Sequence, residues 1–359
     1  MPAAAETDQQ DSTAVYKPTQ QAGHARVLKR LLPLYVAAFM QGFVLWYAIE
    51  KLFMTRIGFD EASLGLMVAV YSAAQLLVET PSGILADRWS RKGVLIIGSI
   101  ALTLSSLVGG LSHNVPIYLA AAVLWGIFFA MYSGTYDSVV YDTVKEETGN
   151  AKGFSYYLGR LRMFDSVALV ISSLAGGVLA TLLDIRAPYF ATLIPCLLSI
   201  AALAAFREPQ LHHAKPAEPL RGQILATFRS LARNRFVLLI VITNMLLMFT
   251  MQMYFEFDQL WLIALLAPVS LYGVVNAMML SGGAVGGFLA GRLNLRLKRY
   301  FVPLLALLVA ASVTLSVTHD LIVAVIAVAI VGFTLMTANI VYTGLLHDEL
   351  SSDIRAGAA

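Results

Sequence analysis

Gly83-Ile84-Leu85-Ala86-Asp87-Arg88-Trp89-Ser90-Arg91-Lys92 stands between two long apolar blocks, and its reading decides the fold. A glycine permits close helix packing near a membrane face, and an acid follows one helical turn later. Arg88, Arg91 and Lys92 then gather positive charge at the surface. Such an acid needs a partner. A second copy, in which Gly83 recurs as Gly287, occurs as Gly287-Phe288-Leu289-Ala290-Gly291-Arg292 with Arg296 beyond; it keeps glycine and arginine and replaces the acid with Gly291. Halves that repeat in this way are a signature of membrane carriers.

The chain around this stretch has 359 residues, of which 58% are hydrophobic and 13% charged, with a mean hydropathy of +0.73. Soluble domains carry roughly 25% charged residues, so a water-soluble globular protein is excluded. Apolar blocks of about 20 residues match a hydrocarbon core of about 30 Å. They fall at 31–49, 64–84, 94–111, 117–136, 163–183, 188–206, 236–255, 271–289, 301–317 and 321–342. The expected fold class is an all-α membrane protein, a helical bundle of six spans plus four. The segment Gln259 to Ala267 is apolar but too short to cross, and is expected as an interfacial turn. Residues 1–30, with Pro2, Pro18 and a polar run, read as a disordered tail with no signal-peptide pattern. The single cysteine, Cys196, lies in an apolar stretch and reads as packing. A formal charge of +3 without a long basic block sets nucleic acid aside.

Cytoplasmic loops retain Lys and Arg during insertion. With the spans drawn as above, all but Lys51, Arg56 and Arg186 of the 25 basic residues lie on the side of the N-terminus, and none lies in mid-span. Both termini are therefore expected in the cytoplasm. The longest interior loop, 207–235, divides an N-terminal six-span bundle (31–206) from a four-span bundle (236–342), with a tail at 343–359. In its second part Ile224, Leu225, Phe228 and Leu231 recur at helical spacing among Arg221, Arg229, Arg233 and Arg235, which predicts an amphipathic basic helix on the inner leaflet. His212 and His213 have no third ligand nearby, so no metal is assigned. No cofactor is expected.

The loop motif resembles the signature between spans 2 and 3 of the major facilitator superfamily, Gly-x-x-x-Asp-Arg/Lys-x-Gly-Arg-Arg/Lys, with Ser90 in place of the second glycine. Glu79-Thr80-Pro81-Ser82-Gly83, and Tyr141-Asp142 with Lys145, resemble a bacterial drug-efflux-like branch. The resemblance implies two bundles rocking around a central cavity, with Asp87 and Arg88 helping to lock the inner gate. It also implies a basic partner for Asp87 after span 4, for which Arg160 and Arg162 are the candidates. Gly83, Asp87, Arg88, Arg91, Lys92, Arg160 and Arg162 form the candidate gating set. Two antiporter marks of the family are missing: Ala122 stands where an arginine belongs in span 4, and Ser172-Ser173 precede Gly176-Gly177 in place of Gly-Pro. The family usually has twelve spans and this second half stops after four, which carries the alternative expectation of a truncated or degenerate carrier that does not alternate access as a monomer.

Carboxylates in a span cost about 2.5 to 3.5 kcal/mol at a helix centre and are functional candidates by default. Glu79 and Asp165 are the coupling candidates, with a proton as the candidate ion, and structural pairing with Arg88, Arg160 or Arg162 is the competing reading. Candidate cavity residues are the polar and aromatic side chains in the spans: Gln41, Trp46, Tyr47, Gln75, Tyr132, Tyr136, Asn244, Gln252 and Asn276. Trp125, Phe129, Tyr132 and Tyr136 recur on one helical face, a stripe that packing alone also explains. Gln41 and Asn244 stand near mid-span in the first helix of each half, where a buried amide needs a partner. With no mid-span Lys or Arg, the cavity suits a small amphipathic organic molecule better than a phosphate or sugar acid.

An ATP-driven pump would need a Gly-Lys pair in a phosphate loop, and a metalloprotease would need His-Glu-x-x-His; neither occurs. The expected function is that of a secondary active transporter in the cell's plasma (cytoplasmic) membrane, with lipid and a small solute as partners and no enzyme activity. The alternative is a receptor-like or inactive member of the same fold.

Overall fold

The computed structural model describes residues 18–151, 153–210, 235–292 and 298–349. Their helices are α1 (Pro18–Gln41), α2 (Glu50–Arg56), α3 (Glu61–Arg88), α4 (Arg91–Leu111), α5 (Val115–Tyr132), α6 (Thr135–Thr148), α7 (Phe154–Leu182) and α8 (Ala187–Ala205). After the loop come α9 (Arg235–Ala264), α10 (Val269–Arg292), α11 (Lys298–Val317) and α12 (Leu321–Glu349). Glu61–Arg88, Arg91–Leu111, Val115–Thr148, Phe154–Leu182, Ala187–Ala205 and Leu321–Asn339 are each long and apolar enough to cross a membrane. Many large apolar side chains point outward, including Leu76, Leu77, Leu182 and Ile194, as expected where lipid replaces water. The chain is an all-helical, multi-pass membrane protein.

With α1 and α2 taken as one broken rod and α5 and α6 as another, ten rods run alternately between two ends. One end carries Lys51 and the α9–α10 and α11–α12 turns; the other carries Asp87 and the α6–α7 turn. Helices α3, α4 and α5 pack together, α8 lies on α4 and α1, and α10, α11 and α12 form a second group. Contacts between the first six rods and the last four run through α7 against α10, α2 against α9, and the Tyr47–Ile49 turn against α10. The α7–α10 crossing is close because of glycine. A Cβ on Gly273 would lie 2.3 Å from the Ser173 carbonyl oxygen, and one on Gly177 would lie 3.0 Å from the Gly273 nitrogen.

The first span differs from the expected single helix over 31–49. Helix α1 starts at Pro18, inside the segment expected to be a disordered tail, and stops at Gln41; a 3-10 turn at Tyr47–Ile49 then leads into α2. Inside a bilayer such a break must find partners for its backbone groups. Ser172 Oγ donates to the Gly42 carbonyl (3.2 Å) and the Leu45 N–H donates to Thr192 Oγ1 (3.1 Å). The Leu45 carbonyl sits where a Cβ on Gly176 would be, 1.8 Å from that position. Span 4 is also interrupted, at Gly134 with φ +70°, and continues as α6 to Thr148 rather than ending at Tyr136.

Span 7 is the clearest departure. Of the expected interfacial turn over Gln259 to Ala267, Gln259 to Ala264 is the last part of α9, which is continuous from Arg235, and the chain turns only over 265–267. Glu256 and Asp258 ended the apolar run in the sequence, yet both are buried against other rods. Helix α12 likewise runs past Tyr342 to Glu349. The basic helix expected over 221–235 lies outside the described residues except for Arg235, which starts α9, and His212, His213 and residues 350–359 also lie outside them. The side chains of the second motif copy, Gly287 to Arg292, are also outside them.

Helix starts follow local chemistry. Asp60 caps α3 by accepting from the Ser63 N–H at 2.9 Å. Hydrogen bonds from the Ser63 side chain and backbone hold the exposed Asp60 carboxyl below the usual carboxylate range. Asn114 and Ser90 cap α5 and α4 in the same manner.

Candidate functional site

A cavity of about 490 Å³ lies between the first six rods and the last four. Its walls include Tyr47, Tyr71, Gln75, Trp125, Phe129 and Phe255, and two of its polar groups, Tyr71 and Gln252, converge on Glu256. The Tyr71 hydroxyl donates to Glu256 Oε1 at 2.8 Å. Gln252 Nε2 donates to the same oxygen at 3.1 Å and to the Tyr71 hydroxyl at 2.9 Å. Tyr47, Gln75 and Gln252, all expected as cavity residues, line it.

Beyond Glu256 the cavity ends in buried charge. Lys51 Nζ donates to Glu50 Oε2 at 2.6 Å and to Glu256 Oε2 at 3.0 Å, with the lysine side chain only 2% exposed. Glu50 also accepts from the Tyr118 hydroxyl at 2.8 Å, and that hydroxyl lies 2.9 Å from the Tyr189 hydroxyl. Gln259 ties this end together: its Oε1 accepts from the Lys51 N–H at 3.0 Å and its Nε2 donates to the Tyr47 carbonyl at 2.9 Å. Asp258 is buried beside them, and its Oδ1 has no hydrogen-bond partner among the described residues. Ionised groups out of water persist only when paired and hydrogen-bonded, and here Glu50 and Glu256 share one ammonium.

Lys51, Glu50, Glu256 and Asp258 were missed because in the sequence they mark span ends. The signal was there: two acids in an otherwise apolar stretch of span 7, and a Glu-Lys pair closing span 1. Charges at a predicted boundary read as solvated, and only the packing of α2 on α9 buries them.

Other expected cavity residues are elsewhere. Gln41, Tyr132 and Tyr136 gather with Arg162 and Asp165 inside the first six rods. The Tyr136 hydroxyl donates to Gln41 Oε1 and Gln41 Nε2 donates to Ser99 Oγ, both at 2.6 Å. Arg162 pairs with Asp137 at 2.7 Å and lies over the Tyr132 ring. Asp165 sits beside Tyr132 and Arg162 and against the backbone at Gly42. The aromatic stripe is thus divided: Trp125 and Phe129 face the cavity, whereas Tyr132 and Tyr136 face this polar core. Trp46 stacks on Tyr189 with centroids 5.2 Å apart and donates to Ser106 Oγ at 3.0 Å, so it packs behind the cavity wall. Asn276 Oδ1 accepts from Ser173 Oγ at 2.7 Å across the α7–α10 crossing. Asn244 lies in α9 with its side chain outside the described residues.

At the opposite end, Asp87 has its side chain 72% exposed and pairs with Arg91 at 3.4 Å, one turn along, rather than with Arg160 or Arg162. Arg91 also bonds Asp142 and the Ser138 carbonyl on α6. The link from the motif to the region after span 4 is therefore made by a motif arginine to an acid, the reverse of the expected polarity. Ser90 Oγ and the Arg91 N–H both donate to Glu208, and Lys92 Nζ donates to the Ala204 and Phe206 carbonyls at the end of α8. Arg160 lies over the rings of Tyr35 and Tyr156. Arg88 and Glu79 are exposed. Gly83 has open space where close packing was expected, with nothing within 4 Å of a Cβ placed there.

Among the described residues no group of three His, Cys, Asp or Glu side chains could hold a metal. A family profile described as Major Facilitator Superfamily matches residues 31–359. The quinolone resistance protein NorA of Staphylococcus aureus is 22% identical over 199 residues, which are 55% of this chain and 50% of NorA. Multidrug resistance protein 2 of Bacillus subtilis is 28% identical over 159 residues, 44% of this chain and 38% of that protein. The matched region thus spans half or less of the length of these relatives. Among solved structures, the nucleoside transporter NupG superposes with a TM-score of 0.69 at 16% identity, covering 91% of this chain and 84% of NupG. A bacterial homologue of the human lysosomal transporter Spinster gives 0.67 at 19% identity, covering 93% and 77%. At such identity these structures show a shared fold.

Proposed function

The chain belongs to the Major Facilitator Superfamily, and from that premise we propose that it is a secondary transporter moving a small amphipathic organic cation by alternating access. The observation that carries this is the cavity: about 490 Å³ walled by Tyr47, Tyr71, Trp125, Phe129 and Phe255, with the carboxylate of Glu256 as its charged group. Aromatic faces attract a cation within about 6 Å, more strongly where water is excluded, and a carboxylate supplies the countercharge. A phosphate or sugar acid would meet Glu256 and be repelled.

The same reading takes the six rods before the loop and the four after it as the two moving bundles, with both termini in the cytoplasm. The Lys51 end then faces outward, and Asp87, Arg88, Arg91 and Lys92 act at the inner gate. That two relatives are a quinolone resistance protein and a multidrug resistance protein supports an amphipathic solute. Asp165 and Glu79 remain the candidates for a coupling proton, with Asp165 held in the polar core and Glu79 near the inner face.

The test is uptake of a fluorescent lipophilic cation into proteoliposomes holding the purified chain, with and without an imposed pH gradient. Saturable flux that falls in Glu256→Gln is the expected result. Saturable binding without flux would instead mark a non-transporting member of the fold.

A further inference from the structure

We propose that Lys51 is a tethered counter-cation: its ammonium occupies the carboxylate that a cationic solute would use, and displacing it unfastens the end of the cavity. The inference rests on the cavity reading above and adds the device that couples solute to gate. Lys51 belongs to α2 of the first six rods and Glu256 to α9 of the last four, so their 3.0 Å ion pair joins the two groups. The two oxygens of Glu256 face different tasks. Oε1 accepts from Tyr71 and Gln252, which line the cavity, and Oε2 accepts from Lys51. A cation seated against Oε1 shares the single negative charge and weakens the hold of Oε2 on Lys51.

Lys51 is not stranded by that exchange. Glu50, its neighbour in the chain, lies nearer at 2.6 Å and moves with it. The ammonium therefore keeps a partner when Glu256 turns to the solute, which avoids the heavy cost of an unpaired buried charge. Asp258, buried beside the cluster with an oxygen that has no partner among the described residues, leaves an open acceptor at this end of the cavity. A neutral solute can fill the same walls but cannot compete for Glu256. The pair thus links the sign of the solute's charge to the release of the α2–α9 contact, a coupling that arises because the same ligand interacts differently with the fastened and released states.

The experiment uses the full chain in detergent with tetraphenylphosphonium as the cationic probe and triphenylphosphine oxide as an uncharged one. Binding is read from tryptophan fluorescence, and acetylation of Lys51 by acetic anhydride is read by mass spectrometry. In the unmodified chain, saturating tetraphenylphosphonium should speed Lys51 acetylation several-fold, and triphenylphosphine oxide should not. Lys51→Met should bind tetraphenylphosphonium roughly tenfold or more tightly, because the competing state is removed, with triphenylphosphine oxide unchanged; Lys51→Arg should stay near the unmodified value. Binding of the cation by Lys51→Met alone also supports the proposal. If Lys51→Met does not fold, the acetylation result on the unmodified chain decides alone. Cation binding with Lys51 still protected, or equal tightening of both probes in Lys51→Met, overturns the latch and leaves the cavity reading standing. No cation binding by either protein overturns both.

Discussion

Replacing Gln41 by leucine separates a structural amide from a solute-binding one. Gln41 is 3% exposed and makes two hydrogen bonds of 2.6 Å, accepting from Tyr136 and donating to Ser99. Ser99 also donates to the Leu95 carbonyl at 3.1 Å, so its own proton keeps an acceptor when Gln41 is removed. Tyr136, fully buried, loses the acceptor shown for its hydroxyl. A buried donor left unsatisfied costs about 1 to 3 kcal/mol, and leucine fills nearly the same volume, so Gln41→Leu should destabilise by about 2 kcal/mol. Adding Tyr136→Phe removes the stranded hydroxyl, so the double variant should be less unstable than the two single effects added, with a coupling between about 0.6 kcal/mol, the average for such bonds in membranes, and about 1.7 kcal/mol, the maximum. The assay is a double-mutant cycle by reversible unfolding in mixed detergent micelles, with probe binding measured on each variant. Unchanged stability in Gln41→Leu together with lost probe affinity would refute the assignment and return Gln41 to the cavity.

Asp87→Asn should leave unfolding within about 1 kcal/mol of the unmodified chain, since an exposed i,i+4 ion pair contributes little, while flux in proteoliposomes falls strongly; unchanged flux would reduce the loop to a topology signal. Arg91→Ala should be the more destabilising of the two in the same unfolding assay, because it strips a partner from Asp142 and the Ser138 carbonyl as well as from Asp87. Gly273→Leu places a side chain where a Cβ already stands 2.3 Å from the Ser173 carbonyl, so overpacking should cost about 1 to 3 kcal/mol or more and part α7 from α10, seen as loss of crosslinking between cysteines placed at 173 and 276. For sidedness, an impermeant thiol reagent on intact cells should label cysteines at positions 114 and 319 and spare one at 298; the opposite pattern would invert the orientation.

The sequence determined that this chain lies in a bilayer, that it is all helical, and roughly where its rods fall, because apolar length against hydrocarbon thickness is a local property that one strand of text records. The loop motif added the family by itself, through the order of one glycine, one acid and a knot of cations. What it could not determine was which polar residues share a pocket. Tyr47, Gln75 and Gln252 are drawn to one cavity, whereas Gln41, Tyr132 and Tyr136, equally polar and equally deep, are joined in a separate core; the break at Gly42 and the kink at Gly134 turn successive parts of one rod toward different neighbours. Glu256 and Asp258 show the same limit from the other side. In sequence they end a hydrophobic run, but a charge leaves the membrane only if nothing within it offers a partner. Lys51, far away in the chain and brought alongside by the packing of α2 on α9, offers one to Glu256. Hydropathy sees each residue against lipid or water, and only the tertiary structure supplies the third environment, a protein interior where opposite charges meet.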